Sequence, residues 1–291
     1  MNLTALSGAG IGLRPEHYQH IITEKPATPW FEVLTENYMC DGGLPLYYLD
    51  KIRQNYPVTF HGVGMSLASA DPLNMHYMKQ LKKLMQRFEP AHVSDHLSWV
   101  SVGQTYLHDL LPFPYNKESL KHLTNKINQA QEYLNTTLLV ENPSSYIGFK
   151  QSDISEYDFI NQLADATGCK ILLDVNNIYV SAFNTGLNAE NYISKINKQA
   201  IAEIHLAGFE DRGHYYYDTH GAEVNDSVWN LYQSLIQHSG PIPSLIEWDN
   251  DIPHFSKLQI EAEKAQTVLN QHPAITINTD HHYEFPQTVS K

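Results

Sequence analysis

The stretch 201–220, IAEIHLAGFEDRGHYYYDTH, begins as the alternating apolar pattern of a buried strand, with Ile201, Ile204 and Leu206, and delivers His205, Asp218 and His220 where that strand should end. Asp218 and His220 stand two residues apart in a loop that can fold back toward His205. A single histidine in such a place usually satisfies one hydrogen bond and nothing more. Repetition raises this one above that reading. His61 follows the run PVTF, His96 closes AHVSD, Glu141 follows TLLV, Asp174 follows KILL and Glu247 follows SLI, with Asn177 in the loop after Asp174. Acids buried together repel one another and raise each other's pKa unless cations compensate. Lys and Arg are absent from these strand ends, so metal ions are the natural compensators. Imidazole and carboxylate without thiolate suit iron, manganese or zinc, and disfavour iron–sulfur clusters and copper(I). Nine donors are too many for one ion; a carboxylate such as Glu141 or Glu247 can bridge two, which gives a di- or trinuclear site.

The elements that must hold these side chains follow from the same runs. Apolar segments at 8–13, 30–34, 57–60, 91–94, 137–140, 170–173, 201–206 and 244–246 read as eight strands, most of them followed by a helix. No composition break separates two halves. The pattern predicts an α/β fold, a single (β/α)8 TIM barrel over residues 1–272, with a polar C-terminal tail at 273–291. Strand ends in such a barrel share one rim, and active sites are built there. Adjacent side chains on a strand point oppositely, so His96 and Glu141 are expected to face the site, with Asp95 and Asn142 behind them. Helices are expected over 72–88 with Asp71 as N-cap and Pro72 at the first position, and at 116–134, 153–167, 188–200, 226–238 with Asp226 as cap, and 255–271. Met75 and Met78 read as core filler. Glu32 reads equally well as a functional carboxylate or as one held by Arg14. Tyr215, Tyr216 and Tyr217 form either a wall for a peptide or a loop packed on the barrel. His281 and His282 read as solvated tail residues.

Composition closes off several classes. Nineteen basic against 32 acidic residues give a formal charge of −13, which argues against a nucleic-acid backbone as partner. No signal-peptide pattern and no run of about 18 apolar residues is present, so a cytoplasmic protein with no membrane partner is expected. Cys40 and Cys169 lie far apart and support neither a disulfide framework nor a thiolate-rich metal site. The glycines at 8–12 lack the third glycine of a dinucleotide fingerprint, and neither GxSxG nor GxxxxGK[ST] occurs.

GIGLR at 10–14, FEV and EN within 31–37, HGVG at 61–64, SDHLSW at 94–99, VENP at 140–143, LLDVNN at 172–177, EIHLAGF at 203–209, DTHG at 218–221 and IEWD at 246–249 carry a specific resemblance. The chain resembles the multinuclear non-haem iron-dependent oxidases of the methanobactin-biosynthesis type, long known as a domain of unknown function. The resemblance covers about the first 250 residues and implies a TIM barrel of the xylose-isomerase-like kind. It implies two or three iron ions held by His61, His96, Glu141, Asp174, Asn177, His205, Asp218, His220 and Glu247. Asp249 would act as the catalytic residue, on substrate or on oxygen species. It further implies oxygen-dependent modification of a ribosomally synthesised precursor peptide, often at Cys, with a small partner protein that presents the peptide. Zinc or manganese in place of iron would suit the rival chemistries of this rim, a xylose-isomerase-like sugar isomerase or epimerase and a trinuclear-zinc phosphodiester hydrolase. A binding module without catalysis is the third class.

Overall fold

A computed structural model describes residues 6–103 and 105–272. Eight parallel strands close a barrel in sequential order: β1 Ala9–Gly12, β2 Phe31–Leu34, β3 Val58–Gly62, β4 Val93–His96, β5 Leu139–Glu141, β6 Lys170–Asp174, β7 Ile201–Leu206 and β8 Ser244–Ile246. Neighbouring strands are consecutive in the chain, and β8 returns to β1 through the pairs Ala9–Ser244, Gly10–Leu245 and Ile11–Ile246. All eight expected strands are present, each within a few residues of the apolar run that announced it. The expected tail at 273–291, with His281 and His282, lies outside the described residues.

Helices form the outer ring because each carries an apolar stripe at helical spacing. Met75–Phe88 buries Tyr77, Met78, Leu81, Leu84 and Phe88, and its partner Lys117–Leu134 buries Leu123, Ile127, Ala130 and Leu134. Two expected caps are corrected. Asn74, not Asp71, caps the first of these, its Oδ1 accepting from the N–H groups of His76 and Tyr77 at 3.0 and 3.2 Å. Asp71 instead accepts from Gly103 N–H at 2.6 Å, tying the helix approach to a neighbouring hairpin. Asn225 likewise caps the helix Asp226–Ser239 from the position before Asp226. Met78 is core filler, whereas Met75, in the first helical turn, faces solvent.

Three features that position the site were not foreseen. A helix, Val175–Thr185, starts directly after β6, with Asp174 Oδ1 accepting from Asn177 N–H at 2.5 Å as its N-cap. A hairpin of Trp99–Val102 and Thr105–Leu111 follows β4. A second, short hairpin pairs Glu210–Asp211 with Tyr216–Tyr217 in the loop after β7.

Candidate metal centre

Strand register decides which side chains meet. His96 pairs with Glu141 across β4–β5, and Asp174 with His205 across β6–β7, so donors on different strands arrive at one level. Two overlapping groups result, each with donor atoms within 4.8 Å of one another: His61, His96 and Glu141, and Glu141, Asp174, His205 and Glu247. Glu141 belongs to both. Pairs within them at 2.9–3.6 Å fall inside the range of first-row metal sites, whose bonds of about 2.0–2.2 Å put ligand atoms within roughly 4.4 Å of each other. A third group, His220 with Glu247 and Asp249, adjoins them. Asp218 meets His220 Nε2 at 2.8 Å, and Asp174 Oδ2 lies 4.0 Å from that nitrogen.

The contacts are short, yet many are not hydrogen bonds. His61 Nε2 and His96 Nε2 lie 3.1 and 2.9 Å from Glu141 Oε2, but both Glu141 oxygens are buried without an aligned donor. Asp174 Oδ2, His205 Nε2 and His220 Nε2 are orphaned in the same way. Each buried unsatisfied polar atom costs about 1–3 kcal/mol, so a cluster built to bond to itself would have aligned. Lone pairs that share a space without pointing along one another's bonds are disposed as ligands are. The donor set therefore fits metal ions.

Charge supports the same conclusion. Burial works against protonation of His61, but Glu141 beside it prevails and raises its pKa to about 10. Burial likewise opposes the charged form of Glu141, and His96 and His61 overcome it, holding the carboxyl far below its ordinary value. Asp174 is the exception: burial pushes it well above the usual carboxylate range, further than His220 draws it back. Acids outnumber the bases here, and without cations one of them has to keep its proton.

The outer nitrogen of each histidine is held from behind. His96 Nδ1 donates to Gly62 O at 3.2 Å, and His61 Nδ1 meets Ser94 Oγ at 2.8 Å, while that hydroxyl donates to Phe60 O. Both rings thus turn Nε2 toward Glu141, the arrangement that orients metal-binding imidazoles. As expected, Asp95 and Asn142 stand behind their neighbours. Asp95 accepts from Met65 N–H and His96 N–H, and Asn142 clamps Asp174 through both its N–H and its carbonyl. Asn177 is adjacent, its amide engaged by Ser144 Oγ and Asn142 O.

Three expectations about this rim are revised. Arg14, just past β1, reaches Asp249, so the strand ends are not free of cationic side chains. Glu32 is not held by Arg14; its Oε2 accepts from Thr59 Oγ1 at 2.9 Å and its Oε1 lies 3.0 Å from His205 Nε2. The three loop tyrosines divide. Tyr216 stacks on Phe183 and Phe209 with ring centres 3.8 and 4.3 Å apart, a packing role. Tyr215 and Tyr217 stay exposed beside Tyr146, whose hydroxyl accepts from Asp218 N–H at 2.9 Å. Sequence reasoning also passed over Glu203, fully buried two residues before His205; its parity on β7 was the available signal. His220 has φ 46°, a left-handed conformation uncommon for a residue with a side chain, and such strain concentrates at functional sites.

Residues 8–270 match the model of the family described as RiPP precursor modification enzyme MbnB/TglH/ChrH, RiPP denoting a ribosomally made, later modified peptide. The chain belongs to this family. A UPF0276 protein of Acaryochloris marina is 51% identical over 270 residues, covering 93% of this chain and 98% of the relative. One from Vibrio parahaemolyticus is 42% identical over 266 residues, covering 90% and 92%. Among solved structures, endonuclease IV from Thermus thermophilus aligns with a TM-score of 0.56 at 12% identity over 91% of this chain and 98% of that one. A xylose isomerase-like TIM barrel fused to a 4-hydroxyphenylpyruvate dioxygenase aligns at 0.59 with 14% identity, over 91% of this chain and 42% of the fusion. These structural likenesses establish the xylose-isomerase-like barrel, and family membership makes the protein a peptide-modifying enzyme. No helix among the described residues is long and apolar enough to cross a membrane.

Proposed function

We propose that the cavity holds a multinuclear iron centre and that the enzyme carries out an oxygen-dependent oxidation of its precursor peptide. The observation that carries this reading is the cluster of orphaned, buried donors around Glu141, free of thiolates, in a chain of a peptide-modifying family. His61, His96 and Glu141 would hold one ion, and Glu141, Asp174, His205 and Glu247 a second, with Glu141 shared. His220 through Nε2, with Asp218 and Asp174 and with Asn177 nearby, would hold a third. Iron there supplies oxygen activation and one-electron chemistry, which zinc does not.

The protein's own groups do the rest. Burial of the cluster excludes bulk water and strengthens every charge interaction inside it. Arg14 fixes the Asp249 carboxylate, which lies 3.2 Å from His220 Nδ1 and is partly open to solvent, placed to accept a proton at the mouth of the cavity. Tyr146, Tyr215 and Tyr217 offer a peptide a broad apolar surface beside Asp218. A cysteine of the peptide is the side chain that the sequence resemblance favours, and a small partner protein that presents it belongs to the same reading.

Two substitutions test the division of roles. His220→Ala should lose one metal ion and abolish oxygen uptake. Asp249→Asn should keep its metal and slow turnover by about 10²- to 10⁴-fold, as loss of a general base does. Elemental analysis and oxygen-electrode measurements read both, on variants whose circular dichroism matches the parent. Full metal and full oxygen uptake in both variants would reject the oxidase; loss of metal from Asp249→Asn would make Asp249 a ligand.

A further inference from the structure

The helix Val175–Thr185 starts directly at Asp174, and two of its asparagines reach the loop that carries Asp218 and His220. In the last turn Asn184 clamps the backbone of Tyr216, its Nδ2 donating to Tyr216 O at 2.9 Å and its Oδ1 accepting from Tyr216 N–H at 2.8 Å. In the first turn Asn176 Nδ2 donates to Asp218 Oδ1 at 2.8 Å. That same carboxylate oxygen lies 2.8 Å from His220 Nε2. Asn177, the next residue, is spent elsewhere, its amide bonded to Ser144 Oγ and Asn142 O in the loop after β5.

We infer that Asn176 is a positioning residue, whose side-chain N–H holds the Asp218 carboxylate beside His220 Nε2 so that the two bind one ion together. This rests on the third ion assigned above to His220 and Asp218.

Three observations argue for it. The Asp218 side chain is partly open to solvent, and among the described residues no other hydrogen bond reaches its carboxylate, so the Asn176 bond is what keeps it turned inward. Its backbone N–H is held separately, by the Tyr146 hydroxyl. Second, Asn176 is fully buried, yet its Oδ1 has no partner. A buried acceptor left unbonded is destabilising, so packing alone would favour an apolar side chain of this size; what the amide adds is its N–H. Finally, the place of Asn176 is tied to the cluster itself. Asp174 Oδ1 accepts from Asn177 N–H at 2.5 Å, and Asn142 clamps Asp174 in turn, so the helix start is fixed by a residue of the metal centre. An anchored N–H on a ligating carboxylate sets its orientation, as outer partners of metal ligands do.

The test uses the full-length protein with Zn(II), which is silent in redox chemistry and accepts the same donors. Zinc affinity by chelator competition and melting of the metal-free protein are read for the parent, Asn176→Leu, Asn176→Ala and Asn184→Ala, with circular dichroism as the control for folding. Asn176→Leu removes the unbonded oxygen together with the N–H, so its metal-free melting temperature should not fall below that of the parent, while one ion weakens by about 10- to 100-fold, the usual effect of losing such an outer partner. Asn176→Ala should weaken the same ion and repeats the measurement if the leucine does not fold. Added to His220→Ala, Asn176→Leu should change nothing further in zinc binding, because the ion it serves is already gone. Asn184→Ala loosens the backbone instead, and should lower the melting temperature with a smaller effect on the ion. Unaltered zinc affinity in the Asn176 variants, a further loss on top of His220→Ala, an ion weakened as much by Asn184→Ala, or melting lowered as far by Asn176→Leu as by Asn184→Ala overturns the inference, as does failure of both Asn176 variants to fold. A parent that binds no Zn(II), or whose zinc count is unmoved by His220→Ala, instead overturns the metal assignment on which it rests.

Discussion

Replacing Glu156 by Gln should remove a pH dependence of stability that the buried carboxyl imposes on the native fold. Glu156 begins the helix Glu156–Thr167 and is buried against Tyr192, whose hydroxyl lies 3.1 Å from its Oε1, and against Tyr115. Burial raises its pKa from an ordinary 4.5 to about 7, and the two tyrosine hydroxyls recover only part of the penalty. Between those values the unfolded chain releases a proton that the folded chain keeps, so stability falls as pH rises from about 4.5 to 7 and is level above. A shift of about 2.5 units at 1.36 kcal/mol each amounts to about 3 kcal/mol. Gln imitates the protonated acid. The parent and Glu156→Gln should therefore differ little near pH 4.5, and the variant should be the more stable by up to about 3 kcal/mol at pH 8. Urea denaturation of metal-free protein at several pH values measures this, the difference between the two proteins cancelling every other titrating group. A difference that stays constant from pH 4.5 to 8 would refute the reasoning, because it would mean that Glu156 ionises in the fold as it does in water.

Gly208→Ala should disturb the loop that carries Asp218 and His220. A Cβ there would stand 2.4 Å from the carbonyl oxygens of both Ala222 and Glu223, at least 0.6 Å too close, and backbone must move. Overpacking of this kind costs about 1–3 kcal/mol, and the metal count should drop by the ion assigned to His220; unchanged melting and metal content would remove the loop's constraint from the account. Tyr146, Tyr215 and Tyr217 replaced together by Ala should weaken peptide binding in a fluorescence titration while leaving metal and melting temperature near the parent. Tyr216→Ala should do the opposite, losing the stack on Phe183 and Phe209 and with it stability. Equal effects in the two variants would return the whole loop to a packing role.

The barrel was legible because its strands are short apolar runs ending in polar residues, and because buried parallel strands carry that signature regardless of tertiary detail. Donors at strand ends were legible for the same reason, since a strand end fixes a side chain's height and its parity fixes its face. What required the structure was lateral information. Nothing in the local sequence places Glu32 beside His205 rather than Arg14, because the pairing spans 173 positions and depends on which strands the barrel sets opposite each other across its axis. Arg14 hid for a related reason: one residue past Leu13 it leaves the strand, and only closure of β1 against β8 brings it to Asp249. The helix caps at Asn74 and Asn225 were misassigned by one to three residues, since Asp and Asn cap about equally well and the neighbouring Asp71 and Asp226 compete with them on sequence alone. Helix Val175–Thr185 was missed because its start is fixed by Asp174 acting as a cap, a role that its place at a strand end concealed.

Metal content of the protein purified without oxygen tests the central claim most directly. Elemental analysis combined with Mössbauer spectroscopy of 57Fe-enriched protein should find two or three iron ions per chain, magnetically coupled through Glu141, and Glu141→Gln should abolish the coupling. A single isolated iron, or a full complement of zinc in protein that takes up no oxygen after reconstitution with iron, would contradict it.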